Sequence, residues 1–192
     1  MTTRRMTKTI NIGTVPVGGT SPISVQSMTK TDTRDITATV REISELEELG
    51  CEIIRCAVPD MEAAKALGEI RRQIHIPLVA DIHFHYQLAL EALAQGVDCL
   101  RLNPGNIRDS QRVSQVVQAA KERQVPIRIG VNFGSLPPVG QIGITRGQRR
   151  SQDGVNLLAK GSEAARGGDY SVVDHMVDTG LWEIGILEDL DF

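Results

Sequence analysis

A partial TIM (β/α) barrel in the α/β class, with about five β/α units behind an N-terminal β-hairpin, is the fold this sequence predicts. The first reason is a set of short segments that alternate polar and apolar residues. Asp98-Cys99-Leu100-Arg101-Leu102-Asn103 is the clearest: successive strand side chains point to opposite faces, so Arg101 and Asn103 share one face while Leu100 and Leu102 take the other. The same parity singles out Arg55 in Ile53-Ile54-Arg55-Cys56-Ala57, Asp81 and His83 in Leu78-Val79-Ala80-Asp81-Ile82-His83, and Arg128 and Asn132 in Ile127-Arg128-Ile129-Gly130-Val131-Asn132. The second reason is that each strand is followed by a helical pattern, which makes the sheet parallel with its apolar parity packed under helices. The third is the polar face itself. A parallel sheet that curls until that face is enclosed is a β/α barrel, and its active site lies at the C-terminal ends of the strands, where Arg55, Arg101 and Arg128 converge.

The elements follow in order. Thr9 to Gly19 alternates around Gly13 and predicts a short hairpin that closes the barrel floor. Pro22 to Thr29 is the first barrel strand, with Ile23 and Val25 on one parity and Ser24 and Gln26 on the other, so that Gln26 joins the polar face. Ile36, Val40, Ile43, Leu46 and Leu49 recur at helical spacing, and Gly50 stands where a left-handed cap ends the helix. Pro59-Asp60 offers an N-cap for a helix through Ala63, Ala64, Leu67 and Ile70. A third helix uses Leu88, Ala89, Ala92 and Leu93 before Gly96, and a fourth uses Val113, Val116, Val117 and Ala120. Beyond Asn132 the periodicity stops, and the Gly- and Arg-rich stretch 137–169 is expected to be an irregular loop, either a functional lid or a disordered segment. A last helix is expected on the stripe Val173, Val177, Leu181, Ile184, Leu187 and Leu190, with no sixth strand after it.

Composition narrows the function. A 192-residue chain with 41% hydrophobic and 23% charged residues is an ordinary globular protein of single-domain size. It is shorter than the roughly 250 residues of a complete eightfold barrel. A net charge of -3 supplies no basic excess for a phosphate backbone, so nucleic acid is excluded as a general partner and anion binding has to be local. No apolar run reaches the roughly 20 residues of a membrane span, and the first residues lack the apolar core of a secretory signal, so a cytoplasmic protein is expected. Cys51, Cys56 and Cys99 have no C-x-x-C spacing; reduced thiols are expected, with Cys56 and Cys99 as core residues, and no metal site is assigned to them.

The planar fork of arginine matches phosphate oxygens in a bidentate way. One inward arginine can be a structural ion pair with Asp81. Three of them against that single strand-borne carboxylate leave buried positive charge unpaired, which is costly, so a multiply charged anionic ligand is the simpler account. Asn103, Asn106 and Asn132 can orient ligand oxygens, although Asn106, in Pro-Gly-Asn, is equally a turn residue. His83 is either an imidazole tuned by Asp81 or a satisfied structural histidine. His83 with His85 is a weak metal pair, His75 and His175 are expected at the surface, and Met28 is expected to pack.

Val25-Gln26-Ser27-Met28-Thr29, Val79-Ala80-Asp81-Ile82-His83-Phe84, Leu100-Arg101-Leu102-Asn103-Pro104-Gly105-Asn106-Ile107 and Arg128-Ile129-Gly130-Val131-Asn132-Phe133-Gly134-Ser135-Leu136, in this order, closely resemble the bacterial 4-hydroxy-3-methylbut-2-enyl diphosphate (HMBPP) synthase family of the methylerythritol phosphate route to isoprenoids. The likeness runs from about Thr7 to Leu136 and resumes from Val172 to Leu190. It implies reductive ring opening and dehydroxylation of 2-C-methyl-D-erythritol 2,4-cyclodiphosphate, an oxidoreductase reaction fed by ferredoxin or flavodoxin, in an enzyme that is a homodimer in the family. It implies that Arg55, Arg101 and Arg128 hold the diphosphate and that Asp81, His83, Asn103 and Asn132 complete the substrate site. It implies too that residues 1–192 are the N-terminal part of the barrel domain, expected to be inactive alone, because the C-terminal domain with the 4Fe-4S cluster and its cysteine ligands is absent. Two other accounts stay open. One is a non-catalytic remnant that binds a phosphorylated metabolite or a partner subunit. The other is a barrel of the pteroate-synthase kind, against which the Asn-Pro-Gly-Asn and Asp-Ile-His-Phe motifs speak.

Overall fold

The computed structural model describes residues 6–83, 85–103, 107, 110–137 and 171–192. Asn106 and, apart from Pro137, the whole Gly/Arg-rich loop expected at 137–169 lie outside the described residues. The chain divides into two compact units, Met1–Leu102 with Gln118–Arg128 and Asn103–Val117 with Ile129–Phe192.

The first unit begins with the expected hairpin. β1 (Ile10–Ile12) pairs antiparallel with β2 (Val15–Val17), Ile12 opposite Val15. Gly13 turns the chain at φ +54, and a Cβ there would lie 2.9 Å from Asp98 Oδ1, so backbone conformation and space both require glycine. Five strands follow, in the spatial order β3 (Gln26–Met28), β4 (Ile53–Ala57), β5 (Leu78–Ile82), β6 (Cys99–Leu102) and β7 (Ile127–Ile129). The ladders from β3 to β6 are parallel. Parallel neighbours need a long return, and helices supply it: α1 (Ile36–Glu48), α2 (Met61–Gln73), α3 (Tyr86–Ala94) and α4 (Ser110–Arg123).

Local chemistry sets the helix ends. Asp35 and Asp60 accept the Ala38 and Ala63 amides at 3.0 and 2.9 Å and so cap α1 and α2. Gly50, at φ +94, ends α1 in the left-handed conformation its position predicts. The helix-facing parity of the sheet forms the main core: Ile54, Cys56, Leu78, Ala80, Ile82, Leu100 and Leu102 are at most 2% exposed. Ala63, Ala64, Leu67 and Ile70 of α2 are fully buried, and α3 lies against α2, β5 and β6 with Leu88, Ala89, Ala92 and Leu93 buried.

The opposite parity starts apolar. Ile53, Val79 and Cys99, near the N-terminal ends of their strands, pack with Ile12, and Val15 and Val17 lean on them. The hairpin is thus the floor of this face. The sheet above it is strongly curled. A flat sheet would hold β3 and β7 about 19 Å apart across four spacings of about 4.8 Å. Arg128 Nη1 nevertheless donates to Gln26 Oε1 at 2.7 Å, and two such side chains span only about 12 Å at bond lengths of about 1.5 Å. The five strands therefore form part of a barrel wall.

One expected strand is shortened. Regular pairing in β3 begins only at Gln26, and Ile23 and Val25 are 80% and 55% exposed. Among the described strands β3 has a neighbour on one side only, so before Gln26 the ladder is reduced to the Val25 carbonyl accepting the Glu52 and Ile53 amides at 2.9 and 3.2 Å.

In the second unit a 3-10 turn, Phe133–Ser135, follows β7, and α5 (Val172–Glu188) starts on a reciprocal Ser171–Asp174 capping box. The stripe predicted for α5 is corrected. Val173, Val177, Leu181 and Ile184 are 41% to 69% exposed, while Thr179, Glu183 and Leu187 are at most 5% exposed. The helix carries apolar residues on most sides, so periodicity does not choose its buried face. The Thr179 hydroxyl is satisfied by donating to the His175 carbonyl at 2.8 Å, which lets a polar residue take the buried stripe. His175, expected at the surface, is half-buried on that same stripe. No helix among the described residues is long and apolar enough to cross a membrane.

Ile12→Ala is expected to lower the unfolding free energy by about 2–4 kcal/mol in urea denaturation, as for a large-to-small change in a packed core. Leu49→Ala, at a side chain that is 85% exposed, is expected to change it by no more than about 0.5 kcal/mol.

Candidate anion-binding site

Two residues beyond the apolar floor, the same face of each strand turns polar: Ile53 gives way to Arg55, Val79 to Asp81 and Cys99 to Arg101. Asp81 is the hub, with 1% of its side chain exposed. It stands opposite Arg101 in the β5–β6 register, and Arg101 Nη1 donates to Asp81 Oδ1 at 3.1 Å. Arg55 Nε lies 3.2 Å from Asp81 Oδ2, an ion pair whose angle falls short of a hydrogen bond, and His83 Nε2 lies 3.3 Å from Oδ1. The Arg101 side chain is 9% exposed, Arg55 28% and His83 50%. Four of the predicted site residues therefore form one cluster.

Arg128, on β7, is held separately by the Gln26 amide oxygen. Asp98, just before β6, does not offset these charges, because its carboxylate is engaged by Arg71 Nε at 2.7 Å and by the Leu78 amide at 2.8 Å. Among the four described side chains Arg55, Arg101, Arg128 and Asp81, three guanidinium groups thus accompany one carboxylate, an excess of two positive charges. Asn103 and Asn132 belong to the second unit. Asn103 is 4% exposed, and Asn132 is exposed at the start of the 3-10 turn in extended conformation.

Sequence reasoning placed Gln26 on the polar face but missed its partner, which lies 102 residues away. Met28, expected to pack, also accepts a contact from the wall, its Sδ receiving Arg55 Nη2 at 3.1 Å. The signal for both was parity, since Gln26 and Met28 alternate with Ser27 as Arg55 does with Ile54 and Cys56. His75 is largely exposed beside Glu47, and His85 is an exposed residue preceding α3.

The cysteines do not fit an iron–sulfur cluster. All three are buried, and burial pushes the Cys56 and Cys99 thiols up to about 11, which disfavours the thiolates that cluster ligation needs. Among the described residues, no group of three or more His, Cys, Asp or Glu side chains is placed to hold a metal ion.

The family model described as the GcpE TIM-barrel domain matches residues 7–192. The chain belongs to that family. Its relatives include a 4-hydroxy-3-methylbut-2-en-1-yl diphosphate synthase (flavodoxin) of Dehalococcoides mccartyi, 66% identical over 137 residues, covering 71% of this chain and 39% of the relative. A protein of the same description from Bacillus mycoides is 47% identical over all 192 residues, which make up 46% of its length. The chain thus spans less than half the length of these relatives. Among solved structures, the 7,8-dihydropteroate synthase of Vibrio fischeri matches with a TM-score of 0.50 over 91% of this chain and 64% of that one, at 12% identity, a likeness of fold alone.

Asp81→Ala strands a buried guanidinium and is expected to cost about 3–5 kcal/mol of stability in thermal or urea unfolding. The Cys56 and Cys99 thiols, neutral when folded, add stability that is complete below their ordinary value of 9.0 and is lost as pH rises through about 11. Reaction of the native chain with a disulfide reagent should therefore stay slow up to about pH 9 and accelerate steeply toward pH 11.

Proposed function

We propose that this chain supplies the substrate-binding wall of a 4-hydroxy-3-methylbut-2-enyl diphosphate synthase, the oxidoreductase that opens and dehydroxylates 2-C-methyl-D-erythritol 2,4-cyclodiphosphate in the cytoplasm. The observation that carries the proposal is the surplus of guanidinium charge on the inner strand face. Arg55, Arg101 and Arg128 bind the two phosphoryl groups, whose negative charge offsets the surplus. At an effective dielectric of about 20, each unit charge pair about 4 Å apart contributes about 4 kcal/mol. Asp81 holds Arg55 and Arg101 at fixed spacing, so little ordering entropy is left to lose on binding.

His83, the most exposed of Asp81's partners, reaches toward the ligand with its imidazole oriented by the carboxylate. These residues bind and orient; a 4Fe-4S cluster, for which the cysteines described above are unsuited, would supply the electrons for ring opening in the whole enzyme. Flavodoxin, which appears in the relatives' names, is the electron donor proposed for the whole enzyme, ferredoxin the alternative, and a homodimer its assembly.

Calorimetric titration of the chain with the cyclodiphosphate at fixed salt tests this function. Micromolar binding is expected, weakened about 10- to 100-fold in Arg101→Ala, as for loss of a hydrogen bond between charged groups. Equal binding by a folded Arg101→Ala variant would overturn the assignment.

A further inference from the structure

The three arginines of the wall are held in two different ways. Arg55 and Arg101 share a buried carboxylate, which fixes them and cancels one of their two charges. Arg128 is held by an uncharged group, the Gln26 side-chain amide, at 2.7 Å. The orientation of that amide is not ambiguous: a guanidinium only donates, so the oxygen of Gln26 has to face Arg128. We infer that Gln26 is the positioning residue for Arg128, aiming the guanidinium into the anion site from across the curled sheet while leaving its charge free for a phosphoryl group.

Two observations and one electrostatic argument support this. Gln26 lies on β3 and Arg128 on β7, the two ends of the five-strand order, so the contact depends on the curl of the sheet. Gln26 pairs with Ile53 in the β3–β4 register, which anchors its backbone beside the apolar floor rather than in a mobile loop. A carboxylate in the same place would make a stronger contact, but it would neutralise the cation and repel an incoming phosphate. A neutral acceptor is what an anion site requires at a position that must orient without competing. Gln26 therefore acts through Arg128. The inference rests on the phosphate-binding wall proposed above.

The test uses inorganic pyrophosphate as probe, with wild type, Gln26→Leu and Gln26→Glu titrated calorimetrically at fixed ionic strength. Melting temperatures and the Arg128 Nε–Hε signal in nitrogen-15 NMR are recorded for each. Gln26→Leu is expected to weaken pyrophosphate binding about tenfold and to shift or broaden the Arg128 signal, as for loss of one charge-assisted contact. Gln26→Glu is expected to melt no lower than wild type yet to bind at least about tenfold more weakly, because it keeps the acceptor and cancels the charge. A merely structural bridge predicts the opposite, since Gln26→Glu would then bind as wild type does, and that result overturns the inference. An Arg128 signal identical in wild type and Gln26→Leu also overturns it, whatever the protein binds. Absence of pyrophosphate binding by wild type, with the Arg128 signal still responding to Gln26→Leu, would instead overturn the phosphate wall and leave Gln26 as the residue that orients Arg128.

Discussion

The carboxylate of Asp81 is almost wholly out of water, with Arg55, Arg101 and His83 around it. A buried charge is tolerated only when paired, and this pairing fixes the inner faces of three neighbouring strands at once. Arg101 is opposite Asp81 in register, whereas Arg55 reaches it diagonally from the strand on the other side, where Ala57 is the direct partner. Strand order, register and curl all have to be right for the two guanidinium groups to meet one carboxylate, so the cluster constrains the fold as much as the fold constrains the cluster.

Beneath the cluster, the apolar layer of Ile53, Val79, Cys99 and Ile12 gives the polar layer its character. A floor that excludes water lowers the local dielectric and strengthens every electrostatic interaction directly above it. His83, two residues beyond Asp81 at the C-terminal end of β5, is the most exposed of these side chains, on the side where β/α barrels place their chemistry. The hairpin closes this layer, with Ile12 packed on Ile53, Val79 and Cys99 and with Val15 and Val17 leaning on them.

Binding and electron transfer make opposite demands on side chains. A phosphate wall needs permanently charged, rigid donors, which arginines anchored on strands provide. Cluster ligation needs thiolates, whereas burial raises the Cys56 and Cys99 thiols to about 11 and suits them to packing instead. The described residues therefore offer anchored guanidinium groups rather than cluster ligands.

Alternation along single strands was enough to divide Arg55, Asp81, Arg101 and Arg128 from their apolar neighbours, because strand geometry forces period two whatever surrounds it. Helix caps at Asp60 and Gly50 were equally local. The buried face of α5 was not legible: with apolar residues on several sides, Thr179 and Glu183 rather than Val173 and Val177 take the interior, and only packing decides such a case. Nor was the pairing of Gln26 with Arg128, since nothing in either strand records a partner 102 residues away. The sequence by itself determined which side chains are polar and on which face of their own strand they lie. The tertiary structure decided which of them meet, because distances between strands are set by register and curl, quantities that belong to the sheet as a whole.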